Sequence, residues 1–185
     1  MMNTLTTSRL ILRPWKESDA KSLYQYARDS RVGPRAGWQV HTSEEDSLNI
    51  IRNVLSVDEN YAICLKEDNQ AIGCIGLKKP GQTQKVTTDF EIEVGYWIGV
   101  PFWGKGYVPE ALLKIQEHVF LDLNDDVLWC GYFDGNIQSK RCMEKCGFVY
   151  HHSEENKLCV LLNEVKTEHY YMLTKEQWQN KNKGS

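Results

Sequence analysis

The sequence predicts a mixed α/β domain built on one central sheet. Three observations carry this. Period-2 and period-3.6 apolar patterns succeed one another along the chain, no repeat or low-complexity tract interrupts them, and 185 residues suit one domain. The expected order is strand, two helices, three strands, helix, strand, helix and two strands. Alternation over residues 8–13, stopped at Pro14, gives the first strand. Ala20, Leu23, Tyr26 and Ala27 then share one face of a helix over about 17–30. Gly33, Pro34 and Gly37 make residues 31–41 a loop. Thr42 and Glu45 form a capping box for a second helix presenting Leu48, Ile51 and Leu55. Residues 61–66 and 71–77 read as a hairpin around Glu67-Asp68-Asn69-Gln70. After a polar loop at Pro80-Gly81, residues 89–98 alternate as a strand with an interior Gly95, a mark of a bulge or close backbone approach. Ala111, Leu112, Ile115 and Val119 align along a long helix, and 127–133 is a buried strand. A short helix over 138–146 stops at Gly147, which suits the left-handed C′ position. Strands at 148–152 and 165–173 close the sheet, and a short polar tail begins at about residue 174.

Composition narrows the function. Hydrophobic residues make up 41% and charged residues 25%, an ordinary globular balance. Lys and Arg number 22 against 25 Asp and Glu, a net charge of -3, which disfavours a nucleic-acid partner because phosphate neutralisation supplies most of that affinity. No apolar run nears the ~18 residues of a membrane span, and the opening Met1-Met2-Asn3-Thr4-Leu5 lacks the pattern of a signal peptide. The six cysteines, at 64, 74, 130, 142, 146 and 159, form no CxxC and lie in apolar surroundings. They read as buried reduced thiols, so the expected location is cytoplasmic. His151-His152 lacks further ligands, and no metal site is expected.

The most informative stretch is Val100-Pro101-Phe102-Trp103-Gly104-Lys105-Gly106-Tyr107-Val108-Pro109-Glu110-Ala111, a glycine-bearing turn between strand and helix. Such a turn exposes unpaired N–H groups at the positive end of a helix dipole, a ready site for pyrophosphate. It is not a P-loop, since Gly106 is not followed by Lys and Ser/Thr, and it lacks the third glycine of a dinucleotide fingerprint. About thirty residues later Asn136-Ile-Gln-Ser139 runs on to Glu144-Lys145-Cys146-Gly147-Phe148.

With these two stretches and the opening Thr7-x-Arg9-Leu10-x-Leu12-Arg13, the chain resembles the GNAT acetyltransferases, in the branch of the ribosomal-protein N-acetyltransferases. The acetyl-CoA signature Q/R-x-x-G-x-G/A falls on residues 101–106, and N-x-x-S followed by E-K-x-G-F on Asn136, Ser139, Glu144, Lys145, Gly147 and Phe148. The signature's first position is Pro101, which offers neither N–H nor polar side chain. The resemblance implies an α/β (α+β) GNAT fold with a mixed, mostly antiparallel sheet of about seven strands and about four helices, spanning residues 1–185 as one domain. It also implies acetyl-CoA as cosubstrate and direct transfer to an amine in a ternary complex. Amides of Trp103, Gly104, Lys105, Gly106 and Tyr107 would hold the pyrophosphate. Backbone groups of Trp97 and Ile98 would pair with pantetheine beyond the Gly95 interruption, and the Ile98 N–H would polarise the thioester carbonyl, a term of ~3 kcal/mol. Core packing is the alternative for Tyr96-Trp97. Asn136 would bond the pantetheine amide or simply end its strand.

Glu93 is the expected base, with Glu91 on the same strand face. Ser139 is either the acid for the leaving thiolate or a cap of the following helix. An α-amine of pKa 7.7–8.0 is roughly 10–20% neutral at pH 7 against about 0.04% for lysine, which favours a protein N-terminus as acceptor. A small amine such as a polyamine or antibiotic is the alternative, and a non-catalytic CoA-binding module a third reading. Trp38, His41 and Arg35, in the 31–41 loop, are the expected acceptor contacts. Either a monomer or a homodimer fits.

Overall fold

The computed structural model describes residues 3–183. Among them eight strands form one sheet in the order β1-β2-β3-β4-β5-β6-β8-β7. The strands are β1 (Leu5–Thr6), β2 (Leu10–Pro14), β3 (Asn60–Leu65), β4 (Ala71–Lys78), β5 (Glu91–Ile98), β6 (Val127–Phe133), β7 (Val149–Cys159) and β8 (Glu164–Thr174). Neighbours pair antiparallel except β5 and β6, which run parallel. The helices are α1 (Ala20–Ala27), α2 (Gly33–Ala36), α3 (Glu44–Ile50), α4 (Tyr107–Glu117), α5 (Ile137–Lys145) and α6 (Lys175–Lys183).

The counts exceed the expected seven and four for local reasons. The two-residue β1 pairs only Leu5 with Leu12 and Thr6 with Ile11, too short to leave a sequence pattern. Within the expected loop 31–41, Pro34 enters the first turn of α2, and Gly37 ends it at φ +92°. The expected polar tail is instead helix α6, whose Trp178 ring lies 5.5 Å from that of Phe120. At α3 the cap is one residue later than Thr42/Glu45 implies. Ser43 Oγ accepts the Asp46 N–H at 3.0 Å, and Asp46 returns a carboxylate oxygen to the Thr42 N–H at 2.8 Å. Strands β7 and β8 run longer than expected, because their outer halves are polar and exposed and carry no clean alternation.

Apolar periodicity fixes what each sheet face buries. Ile92, Val94 and Ile98 of β5 pack with Ala111, Leu112 and Ile115 of α4 and Met143 of α5. On the opposite face Trp15, Ala20, Leu23, Ala27 and Ile51 cover Ala62, Cys64 and Cys74. Each fully buried Leu or Ile here contributes about 1.5–3 kcal/mol relative to exposure.

Candidate active site

The parallel β5–β6 pairing sets the site. Its register runs from Glu91 opposite Val127 to Val94 opposite Cys130 and stops there. Against β4 the same strand pairs without a break from Glu93 to Ile98. Gly95 therefore marks no bulge toward β4; it lies one residue past the end of the β6 ladder, where a Cβ would meet nothing within 4 Å. Because antiparallel bonding alternates, and the Gly99 N–H bonds the Ile72 carbonyl at 2.9 Å, the backbone groups of Tyr96 and Ile98 face the widening gap. Those of Trp97 face β4, where its carbonyl oxygen would clash with any Cβ on Gly73. The gap-facing pair is thus Tyr96 and Ile98, in place of Trp97 and Ile98.

Beyond β5 the chain turns through Val100–Phe102 into Gly104 (φ +72°) and Gly106 (φ +79°). Both lie in the left-handed region that glycine adopts without cost. Gly106 is the N-cap of α4 and has no side chain to cap it, so the Tyr107 and Val108 amides lack intrahelical acceptors and Pro109 has no N–H. Lys105 adds its charge, with Nζ 5.6 Å from the Phe102 ring centre. The Trp103 indole donates to the Ile98 carbonyl at 3.0 Å, tying the turn to the end of β5.

Residues of the opening motif hold this turn from outside. Glu110, in the first turn of α4, accepts from Thr7 Oγ1 (2.6 Å), Ser8 Oγ (3.1 Å), the Arg9 amide (2.9 Å) and Arg9 Nε (2.6 Å). Arg9 Nη1 also reaches the Lys105 carbonyl at 3.0 Å, with its guanidinium 4.5 Å from the Tyr107 ring. Burial pushes the Glu110 carboxyl up, but Thr7, Arg9 and Ser8 outweigh it and hold it at about 2. A depressed native pKa makes the linked stability present above the unfolded carboxylate value, about 4.3, and lost as pH falls toward 2. Glu110→Gln is expected to flatten that acid limb, read as urea midpoints between pH 7 and pH 2.

Across the gap, Asn136 caps α5, its Oδ1 accepting the Ser139 N–H at 3.4 Å. Ser139 Oγ lies 2.9 Å from the Tyr96 hydroxyl. Burial raises Tyr96 well above the usual phenol range, so it stays a donor. Ser139 is thus both next to a cap and joined across the gap to β5, and the sequence carries no sign of the second link.

Alternation puts Glu93, Gly95 and Trp97 on the face opposite α4. Glu93 is buried, accepting from Thr83 Oγ1 at 2.5 Å and Lys85 Nζ at 3.0 Å. Glu91 accepts from the Trp129 indole at 3.2 Å. Trp38 joins this face, its ring centre 5.5 Å from Trp97 and 5.3 Å from His41. His41 is held by Ser47 at 2.8 Å, and burial lowers its pKa. Arg35, an expected acceptor contact, places its guanidinium 5.4 Å from the Trp103 ring centre. Its carbonyl accepts from Asn136 Nδ2 at 3.5 Å. Lys85, which bonds Glu93, and Glu168 and Tyr170, which flank Lys85, escape sequence reasoning. The one available sign is Gly131, an isolated glycine inside β6 like Gly95 inside β5.

Among the described residues no group of His, Cys, Asp or Glu is placed to hold a metal ion, and no helix is long and apolar enough to cross a membrane. The profile of the acetyltransferase (GNAT) domain matches residues 9–149. The uncharacterized N-acetyltransferase YnaD of Bacillus subtilis (strain 168) is 27% identical over 175 residues, covering 94% of this chain and 98% of that one. A GNAT-family acetyltransferase structure from Bacillus anthracis superposes with TM-score 0.82 at 23% identity, covering 94% and 99%. The ribosomal-protein-S5-alanine acetyltransferase of Vibrio fischeri superposes with TM-score 0.72 at 17% identity, covering 95% and 98%. With an opened β5–β6 pair and a double-glycine turn at its mouth, the chain belongs to the GNAT family and is an acetyl-CoA-dependent acetyltransferase.

Proposed function

We propose that this enzyme acetylates a primary amine, with a protein N-terminal α-amine as its preferred acceptor. The observation that carries the reading is the end of the β5–β6 ladder at Val94 and Cys130, with Tyr96 and Ile98 beyond it on the gap side and Glu93 and Gly95 on the face above. Amides of residues 104–108 and the Lys105 ammonium would hold the pyrophosphate, and the backbone of Tyr96 and Ile98, with Asn136, the pantetheine arm. Acetyl-CoA supplies an activated thioester. The Ile98 N–H stands ready to stabilise negative charge on a carbonyl oxygen, Glu93 to take the amine proton, and Ser139, backed by the Tyr96 hydroxyl, to protonate a departing sulfur. A carboxylate base works best on an amine that is already partly neutral, which favours an α-amine over lysine by about two orders of magnitude at pH 7. The likeness to a structure named for a ribosomal-protein alanine supports the same class. The free cysteines, five of the six buried, support a cytoplasmic location.

Gly104→Val tests the turn. A β-branched residue at φ +72° is strained, and its side chain enters the open space before the amides. Calorimetry is expected to show at least a tenfold loss of acetyl-CoA affinity with a retained circular-dichroism spectrum. An acceptor screen that compares peptides with small amines, followed by mass-spectrometric mapping of the product, tests the acceptor class. No acetyl-CoA binding by the unmodified chain, and no CoA release with any amine, would refute the whole reading.

A further inference from the structure

The Lys85 side chain, from the loop between β4 and β5, is buried in a cage. Its Nζ lies 3.0 Å from Glu93 Oε1, 2.6 Å from Glu168 Oε1 and 4.2 Å from the centre of the Tyr170 ring. All three charged side chains are about nine-tenths buried. Two carboxylate acceptors and an aromatic face are the set that recognises a primary ammonium.

The cage stands where the β5–β6 ladder ends. Gly131 follows Cys130, the last β6 residue paired with β5, and pairs with Tyr170 of β8. A Cβ on Gly131 would lie 2.6 Å from Lys85 Nζ and 2.8 Å from Glu168 Oε1, so only glycine leaves room for the ammonium. Gly95, the matching residue of β5, opens onto free space on the same face. The Lys85 nitrogen therefore sits over Gly131, beside the point where the strands part and within hydrogen-bond reach of the carboxylate assigned as base.

Charge gives the same reading. Lys157 Nζ lies 3.0 Å from both Glu154 Oε2 and Glu168 Oε2, and the Tyr170 hydroxyl is shared between the same two carboxylates. Without Lys85, the two buried carboxylates of Glu93 and Glu168 would be left with one ammonium, that of Lys157, which Glu168 shares with the exposed Glu154. The cluster then has room for one more cation.

We propose that Glu93, Glu168 and Tyr170, over the Gly131 floor, form the subsite for the acceptor's ammonium, and that Lys85 occupies it as an internal stand-in that the acceptor displaces. The proposal deepens the acetyltransferase reading by naming where the amine docks and what excludes weak amines. Bound between two carboxylates, Lys85 is a plug and not a nucleophile.

The test uses Lys85→Ala and Lys85→Gln in the full chain, each checked by circular dichroism. Titration without acetyl-CoA is expected to show one equivalent of n-butylammonium bound to Lys85→Ala and none to the unmodified chain. N-terminally free tetrapeptide amides should bind both variants at least tenfold more tightly, with KM falling in parallel. In Lys85→Ala, n-butylammonium should displace them competitively. Peptide affinity unchanged or weakened in both variants would overturn the proposal and leave Lys85 a structural cross-link. So would n-butylammonium that binds without displacing peptide. Failure of CoA release in every form would count against acetyl transfer alone, because the calorimetric competition reads the subsite without cosubstrate.

Discussion

Asp19→Ala is expected to cost about 3–5 kcal/mol of stability, the range for stripping the partner from a buried charge. Arg13, the last residue of the opening motif, is 6% exposed and Asp19 7%. The guanidinium meets the Asp19 carboxylate in a two-pronged pair, at 2.7 and 2.9 Å. Its remaining donors go to Asn69 Oδ1, the Asn69 carbonyl and the Pro14 carbonyl. Asp19 also accepts the Lys16 N–H at 2.9 Å, closing the turn into α1. The hydrogen bond to Asp19 raises the Arg13 pKa against the pull of burial, and a guanidinium stays ionised when its partner is removed. Ala at 19 leaves that charge facing Asn69 and two carbonyls. For a chain of this size the loss should appear as a Tm drop on the order of 10 °C and a lower urea midpoint with an unchanged m-value. Glu17→Ala is the control. Glu17 and Arg52 make an equally close pair, with both contacts at 2.8 Å, but in solvent, and its removal should leave the midpoint where it is. Equal shifts in the two variants would show that burial is not what makes the Arg13 pair matter.

The same residue shows what a sequence conceals. Thr7, Arg9 and Arg13 can be read as a motif, yet nothing local says that Thr7 and Arg9 reach Glu110, about a hundred residues away, or that Arg13 is buried under the β3–β4 turn. Strands with strict alternation and helices with a continuous apolar stripe are legible because burial on one face is a local, periodic requirement. The 31–41 segment is not, because α2 lasts four residues and is held by distant partners: Gly37 by Phe133 and Cys159, Arg35 by Asn136. Of the site, the double glycine at 104 and 106 and the interior Gly95 can be read, since each marks backbone that a side chain would obstruct. The strand that β5 parts from, and the loop lysine placed against Glu93, depend on chain crossings that carry no periodic signal.

Glu93→Gln is expected to reduce kcat by about 10²–10⁴-fold, the usual weight of a positioned base, with acetyl-CoA affinity unchanged. The amide has the shape of the carboxylate and can still accept from Thr83, so the fold around β5 is kept. The turn at residues 104–108 does not touch it, so cosubstrate binding should be blind to the change. What is lost is an acceptor for the amine proton. Glu93→Asp, which keeps the charge on a shorter arm, should recover part of kcat. If Glu93 only anchors Lys85, the outcome differs: Gln would raise KM for the amine and leave kcat within a few-fold. Lys85 sharpens the distinction further. Its nitrogen lies 3.0 Å from Glu93 in the resting protein, so the base is masked until an amine replaces it. Lys85→Ala should therefore lower the amine KM when Glu93 is present, while leaving kcat equally depressed when position 93 is Gln. A double variant that regained turnover would show that some group other than Glu93 takes the proton.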